Sequence, residues 1–301
     1  MNKKTETFLE YRNLLFSIAY HMLGQIDAAE DIVQDSYLKW IGTDTEDVLH
    51  IKAFLVRIVT NQSINYLQSA RVRREEYIGI WLPEPLPQSG PDRNISRIES
   101  WHALSIGMML LLERLTPQER AIFLLKEIFA YDYAELAVIV GKSADNCRQI
   151  LRRAKTHLGD DKNRFEVDLK VHEKLLHQFH AAVAKGDMEA LIGLLKEDIN
   201  LYADGDGRAS QVQGQRLSAF RKPIFGVDKV GRALLAVVPK FRQSVPDFRQ
   251  EITITNGLPS IVSYSGNQPL SLVAVEPEGD RIRNIFVQNN PDKLKHLKKA
   301  L

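Results

Sequence analysis

Between Lys142 and His157 the sequence holds five basic residues against one acidic residue. Helical spacing puts Cys147, Ile150, Leu151, Ala154 and Leu158 on one apolar stripe. Asp145, Asn146, Arg148, Gln149, Arg152, Arg153 and Lys155 are left facing outward. Arginine suits guanine edges and phosphate oxygens, and asparagine and glutamine suit adenine edges, so this face can read a DNA major groove. The competing reading is an ordinary solvated helix. Three further groups carry polar chemistry. Asp31, Gln34 and Asp35 share one face of a helix whose apolar stripe is Ala29, Val33, Tyr37 and Trp40. Asn61 and Asn65 stand one turn apart, where their amides can hydrogen-bond unstacked bases. Arg71, Arg73 and Arg74 follow as a cluster suited to phosphates. Near the C-terminal third, His172, His177 and His180 with Asp187 and Asp204 are candidates for proton transfer. A helix surface explains these histidines more simply, and they complete no ligand set at metal spacing.

The elements that must position these residues fall into blocks. Residues 8–77 are helical in pattern, with Asp27 and Glu30 at capping-box spacing before the second helix. A third helix runs from about Ile51 to Ala70. Pro83, Pro85, Pro87 and Pro91 then mark a stiff linker, in which Tyr77, Ile80, Trp81 and Leu82 form an apolar cluster that needs something to pack against. A second helical block spans about Ser100 to Leu158. Thr116, Pro117 and Glu119 read as a capping box with proline at the first helical position. A helix over Asp132 to Val140, a turn at Gly141-Lys142-Ser143 and the basic helix capped by Ser143 make a helix-turn-helix.

Beyond Asp168 the texture is α+β. Two helices, Val171 to Lys185 and Asp187 to Leu195, precede a strand at Ile199 to Ala203 and a helix at Val227 to Phe241. Four alternating segments follow: Arg249 to Thr255, Ser260 to Ser265, Leu270 to Val275 and Arg281 to Gln288. The order predicts a curved antiparallel sheet folded over helices.

Composition bounds the rest. With 301 residues, 44% hydrophobic and 26% charged, the chain is long enough for two or three globular units. No apolar run approaches the length of a membrane span, and Glu6, Glu10 and Arg12 interrupt what would be a signal peptide. A cytoplasmic protein without membrane contact is expected. The single cysteine, Cys147, excludes an internal disulfide and a cysteine-rich metal site. Up to Phe165 there are 21 Lys and Arg against 22 Asp and Glu, and 19 against 16 beyond it, so neither part is a basic protein. Any DNA-binding charge must be locally segregated.

Asp27-Ala28-Ala29-Glu30-Asp31-Ile32-Val33-Gln34-Asp35 followed by Tyr37-Leu38-Lys39-Trp40 resembles region 2 of extracytoplasmic-function sigma factors. Phe54 to Asn61, Asn65-Tyr66-Leu67 and the arginine cluster resemble the promoter −10 segment that follows. Thr116-Pro117-Gln118-Glu119-Arg120 through the helix-turn-helix resembles region 4, which reads the −35 element. Trp81-Leu82-Pro83-Glu84-Pro85, Asp204-Gly205-Asp206-Gly207 and Asn290-Pro291-Asp292-Lys293-Leu294 are similar to motifs of the subgroup with a fused SnoaL-like (NTF2-like) domain. Asp206 departs from the Asp-Gly-Gly-Gly pattern of that subgroup.

The resemblance implies four segments: region 2 over 1–76, a linker over 77–99, region 4 over 100–165 and a SnoaL-like regulatory domain over 166–301. The first and third would be all-α, and the last an α+β cone. It further implies core RNA polymerase as the partner of Asp31, Gln34 and Asp35. Promoter −10 DNA would face Asn61, Asn65, Arg71, Arg73 and Arg74, and −35 DNA would face Asn146, Arg148, Gln149, Arg152, Arg153 and Lys155. Regulation in cis would run through Tyr77, Trp81 to Pro85, Asp204, Gly205, Gly207 and Asn290 to Leu294. No cofactor and no catalysis are expected, although a small-molecule ligand of the C-terminal domain fits this fold type. Two rival readings are a helix-turn-helix regulator with a ligand-binding domain and a SnoaL-like enzyme fused to a DNA-binding domain.

Overall fold

The computed structural model describes residues 3–44, 48–74, 79–87, 104–159, 168–205, 211–212, 215–216 and 222–298. They form two compact units. The first takes in the described residues within 1–76, 97–104 and 108–163, and the second those within 77–96, 105–107 and 164–301.

In the first unit, α1 (Lys3–Leu23), α2 (Ile26–Gly42) and α3 (Ile51–Arg74) pack around Leu15, Tyr20, Leu23, Trp40 and Leu55, all nearly inaccessible to solvent. The Trp40 indole N–H donates to the Lys4 carbonyl at 2.8 Å, which ties the end of α2 to the start of α1. Asp27 does not cap α2. Gln25 occupies the N-cap without a side-chain bond, and Asp27 lies in the first turn. Glu30 instead accepts from Arg12 on α1 at 2.6 Å, so a tertiary ion pair takes the carboxylate that a capping box would have used.

The same unit contains α4 (Ile106–Leu112) from Met108 onward, α5 (Pro117–Phe123), α6 (Tyr133–Val140) and α7 (Ala144–Leu158). The Thr116 and Glu119 capping box forms as the sequence predicts. A single π-helical turn, Leu124–Ile128, continues α5. Asp132 and Glu135 make a second capping box at α6, Gly141 closes α6 in the left-handed region at φ 66°, and Ser143 caps α7. Arg120 is 3% exposed, and its guanidinium donates to the carbonyls of Leu112 at 3.0 Å and Met22 at 2.8 Å and to Glu113 at 2.8 Å. A buried cation here saturates backbone acceptors of both helical blocks.

The second unit is a six-stranded sheet in the order β4-β1-β8-β7-β6-β5, with a separate ribbon β2-β3. Its strands are β1 (Leu195–Asp204), β2 (Gln211–Val212), β3 (Gln215–Arg216), β4 (Ile224–Phe225), β5 (Phe248–Thr255), β6 (Leu258–Ser265), β7 (Gln268–Glu278) and β8 (Arg281–Gln288). The sheet is antiparallel except between β1 and β8, where the chain returns to β1 after the whole meander. Register shifts in β1–β8, β6–β7 and β7–β8 mark bulges, which bend strands and curve the sheet. Helices α8 (Leu169–Lys185), α9 (Met188–Leu194) and α10 (Val227–Ser244) supply Leu176, Phe179, Leu191 and Val230 to a core shared with Ile199, Leu201, Val275 and Ile285 of the sheet.

His172 corrects the sequence reading of a surface histidine. It lies on the apolar stripe of α8, fully buried, with Nε2 2.9 Å from the Val275 carbonyl. Burial lowers its pKa, against the bond to Val275, which acts to raise it. The neutral ring therefore donates through Nε2, and the bulge beside Val275 gains a partner for its carbonyl. His177 is exposed on the same helix, and His180 approaches Gln250 at 3.2 Å. These groups do not converge on Asp187, which caps α9 by accepting from the Ala190 amide. Among the described residues no cluster suits a metal, and no helix is long and apolar enough to cross a membrane.

Candidate functional site

The outward face of α7 is assembled by the cap and turn chemistry just described. Cys147, Ile150, Leu151, Ala154 and Leu158 are buried, and Asn146, Arg148, Gln149, Arg152 and Arg153 are exposed. Two of its cations are held in place. Arg148 pairs with Asp145 and lies 4.9 Å from the centroid of the Tyr133 ring. Lys155, half-buried, reaches Glu127 of the π turn at 2.9 Å. An open groove of about 570 Å³ runs along this side, lined by Tyr133, Leu151, Thr156 and the three cations Arg148, Arg152 and Lys155. Sequence reasoning missed Tyr133. Its signal was there, an aromatic residue directly after a helix cap and beside a basic helix.

Where α5 meets α7, Glu119 accepts from the Thr116 amide at 3.0 Å and hydroxyl at 2.9 Å, and lies 3.2 Å from His157 Nδ1. Burial acts to raise the Glu119 pKa, but the Thr116 bonds and His157 outweigh it and the net shift is downward. The ionised carboxylate thus fastens the start of α5 to the end of α7.

On the first block, Asp31, Gln34 and Asp35 are exposed together on α2, and Leu38 beside them is 68% exposed. On α3, Asn61 and Asn65 are exposed, and Arg57 one turn before Asn61 extends their stripe. Arg57 is a residue that sequence reasoning missed, although its spacing from Asn61 and Asn65 was the signal. α3 continues through Arg71, Arg73 and Arg74, whose side chains lie outside the described residues.

The linker residues belong to the second unit, and there a clamp holds them. The Leu82 amide donates to Asp204 Oδ2 at 2.7 Å, while Lys293 Nζ donates to the Leu82 carbonyl and to the same Asp204 oxygen, both at 2.7 Å. Gln288 Nε2 adds longer contacts of 3.4 Å to the Pro83 carbonyl and to Asp204. Trp81 lies under Lys293 Nζ at 4.3 Å from the ring centroid. Asp204 is fully buried and the Lys293 side chain is 6% exposed, so this ion pair is desolvated and satisfied by main-chain groups.

Further along, Leu86 and Asn256 exchange bonds. The Leu86 amide donates to Asn256 Oδ1 at 3.0 Å, and the Asn256 amide to the Leu86 carbonyl at 2.9 Å, beside an antiparallel bridge from Pro87 to Thr255. Leu82, Pro83, Glu84, Pro85 and Leu86 are all buried. Local structure explains why Lys293 is in reach. Asn290 caps the short helix α11 (Pro291–Leu294) by accepting from the Asp292 amide, Pro291 starts the turn, and Leu294 anchors it in the core. Gly205 is buried beside Asp204, and Tyr77 and Gly207 lie outside the described residues. Gln288 and Asn256 were not legible as clamp residues.

Comparison with known proteins gives the following. Residues 7–73 match the family model Sigma-70 region 2, and residues 107–158 match Sigma-70, region 4. The chain is 29% identical over 296 residues to the ECF RNA polymerase sigma factor SigJ of Mycobacterium tuberculosis, covering 95% of this chain and 91% of the relative. It is 25% identical over 293 residues to the probable ECF RNA polymerase sigma factor SigI of the same organism, covering 97% and 94%. The crystal structure of the Mycobacterium tuberculosis SigJ superposes with a TM-score of 0.76 at 26% identity, covering 97% of this chain and 98% of that one.

Proposed function

We propose that the chain, which carries both sigma-70 regions and is similar over 95% of its length to an extracytoplasmic-function RNA polymerase sigma factor, directs promoter-specific initiation, and that its SnoaL-like C-terminal domain controls that activity in cis by holding the linker between the two promoter-reading segments. The observation that carries this reading is the grip of Asp204 and Lys293 on both main-chain groups of Leu82. A linker held at a fixed register fixes the path of the chain between the −10-reading and −35-reading segments. Releasing it changes which arrangements the two can adopt. Burial of Leu82 and Leu86 favours the docked state, and the buried ion pair selects its register.

In the same reading, Asp31, Gln34 and Asp35 with Leu38 meet core polymerase. Asn61 and Asn65, supported by Arg57 and the Arg71, Arg73 and Arg74 cluster, receive the opened −10 strand. Asn146, Arg148, Gln149, Arg152, Arg153 and Lys155 face the −35 element. The acidic helix explains why a DNA-binding protein carries no net positive charge over its first 165 residues. The chain performs no catalysis of its own in this scheme.

The test is reconstitution with core polymerase. The full chain should initiate at a cognate promoter, and Trp81→Ala, Lys293→Met and removal of residues 168–301 should each change the level of initiation in the same direction. Wild-type initiation from all three, with core binding intact, would rule out control through this linker.

A further inference from the structure

Tyr133 is the first residue of α6, and its position is set from both sides. Asp132 and Glu135 close a capping box around it, each main-chain N–H donating to the other's carboxylate at 2.8 Å. Just before it, the Tyr131 amide is bound to the Leu125 carbonyl at 2.9 Å. The ring is therefore placed by a rigid helix start rather than by a loop. Two cations use it: Lys126 Nζ and the Arg148 guanidinium each lie 4.9 Å from its centroid. Lys126 is itself fixed by donating to the Tyr131 carbonyl at 3.1 Å.

Arg148 differs from the other cations of α7 in what surrounds it. Its side chain is 54% exposed, so it can reach a ligand, yet Asp145 one turn earlier and the Tyr133 ring hold its plane. An arginine free to rotate loses rotamer entropy when it binds, and one already held on an aromatic face loses less. The Asp145 carboxylate beside it disfavours a phosphate, which is anionic, but tolerates a neutral base edge. A planar guanidinium offers two parallel donors, and a guanine edge offers two acceptors in matching geometry.

We propose that Tyr133 is a positioning residue for base specificity: it aims Arg148 at a guanine edge in the −35 element, leaving phosphate contacts to other cations of the face. This rests on the reading of α7 as the −35 helix.

The experiment uses the full chain with core polymerase, and initiation is read from a promoter library with each −35 base pair randomised in turn. Arg148→Ala should erase the preference at one or two adjacent base pairs. Tyr133→Leu should weaken the preference at those same positions about three-fold, the size of an exposed cation–π contact, and leave other positions unchanged. Tyr133→Phe keeps the ring and should restore the wild-type profile. Tyr133→Leu combined with Arg148→Ala should be no less selective than Arg148→Ala alone. If Tyr133→Leu does not fold, Tyr133→Gln carries the same expectation.

A Tyr133→Leu profile equal to wild type, or a uniform loss at every position, while Arg148→Ala is selective, overturns the role of Tyr133 and leaves the −35 reading standing. An unchanged profile for Arg148→Ala overturns both.

Discussion

Lys293→Met isolates the clamp. Methionine keeps the length and apolar stem of lysine but removes the charge that neutralises Asp204, which is fully buried in the docked state. Breaking a buried pair from one side costs about 3 to 5 kcal/mol, because the surviving charge has lost its partner. The Leu82 amide and Gln288 remain to Asp204, which favours the lower end of that range. Loss of the ammonium over Trp81 adds roughly 0.5 to 2 kcal/mol. Undocking lets water reach Asp204, so the cost falls on docking rather than on the sheet. At about 3 kcal/mol the docked-to-undocked ratio drops by about two powers of ten. Amide hydrogen exchange reads this directly: protection at Leu82 and Leu86 should fall by that factor while β7 and β8 keep theirs. Adding Asp204→Asn removes the orphaned charge and keeps an acceptor for the Leu82 amide, so the double variant should recover most of the protection. Unchanged exchange at Leu82 in Lys293→Met, or a double variant no better than the single one, would refute this account of the clamp.

Asp31→Lys with Asp35→Lys reverses an exposed face, so the fold should change by less than about 1 kcal/mol while binding to core polymerase is lost; a pull-down and a denaturant melt check both halves. Thr116→Ala removes a cap and one donor to the buried Glu119 and should lower stability by about 1 to 2 kcal/mol, seen as a lower urea midpoint with an unchanged slope. His172 has a folded pKa below its unfolded value of about 6.5, so the unfolded chain binds the extra proton. Stability is therefore full above about pH 6.5 and falls as pH drops from there toward the folded pKa. Protection in β7, taken relative to the intrinsic exchange rate at each pH, should fall over that window in the wild type and lose this dependence in His172→Gln.

Much of this was legible because local signals and tertiary packing agree. The caps at Thr116 and Ser143 form where their residue types place them, and the four meander strands form over the segments whose alternation marks them. Where they disagree, packing wins. Asp27 and Glu30 have capping-box spacing, but Arg12 on another helix claims Glu30. His172 could have been assigned inside, since it shares the stripe of Leu175, Leu176, Phe179 and Val183; its residue type argued for the surface and its register did not. The π turn at Leu124–Ile128 and the positive φ of 57° at Ala130 have no signal in their residue types. At the clamp, motif residues such as Asp204 and Lys293 stood out, but the groups they hold are a main-chain N–H and C=O 122 and 211 residues away in sequence. Main-chain groups carry no side-chain pattern to read.

That last property has an evolutionary side. A fork that recognises the backbone is indifferent to most side-chain changes at the residue it holds, provided the new side chain still fills the cavity behind Leu82. It is intolerant of changes in length. One residue inserted between Leu82 and Leu86 keeps the Asp204 grip but slides Leu86 off Asn256, and one deleted does the same in the opposite sense. Divergence of this linker should therefore proceed by substitution at constant spacing, with the number of residues between the two gripping points held more strictly than their identities.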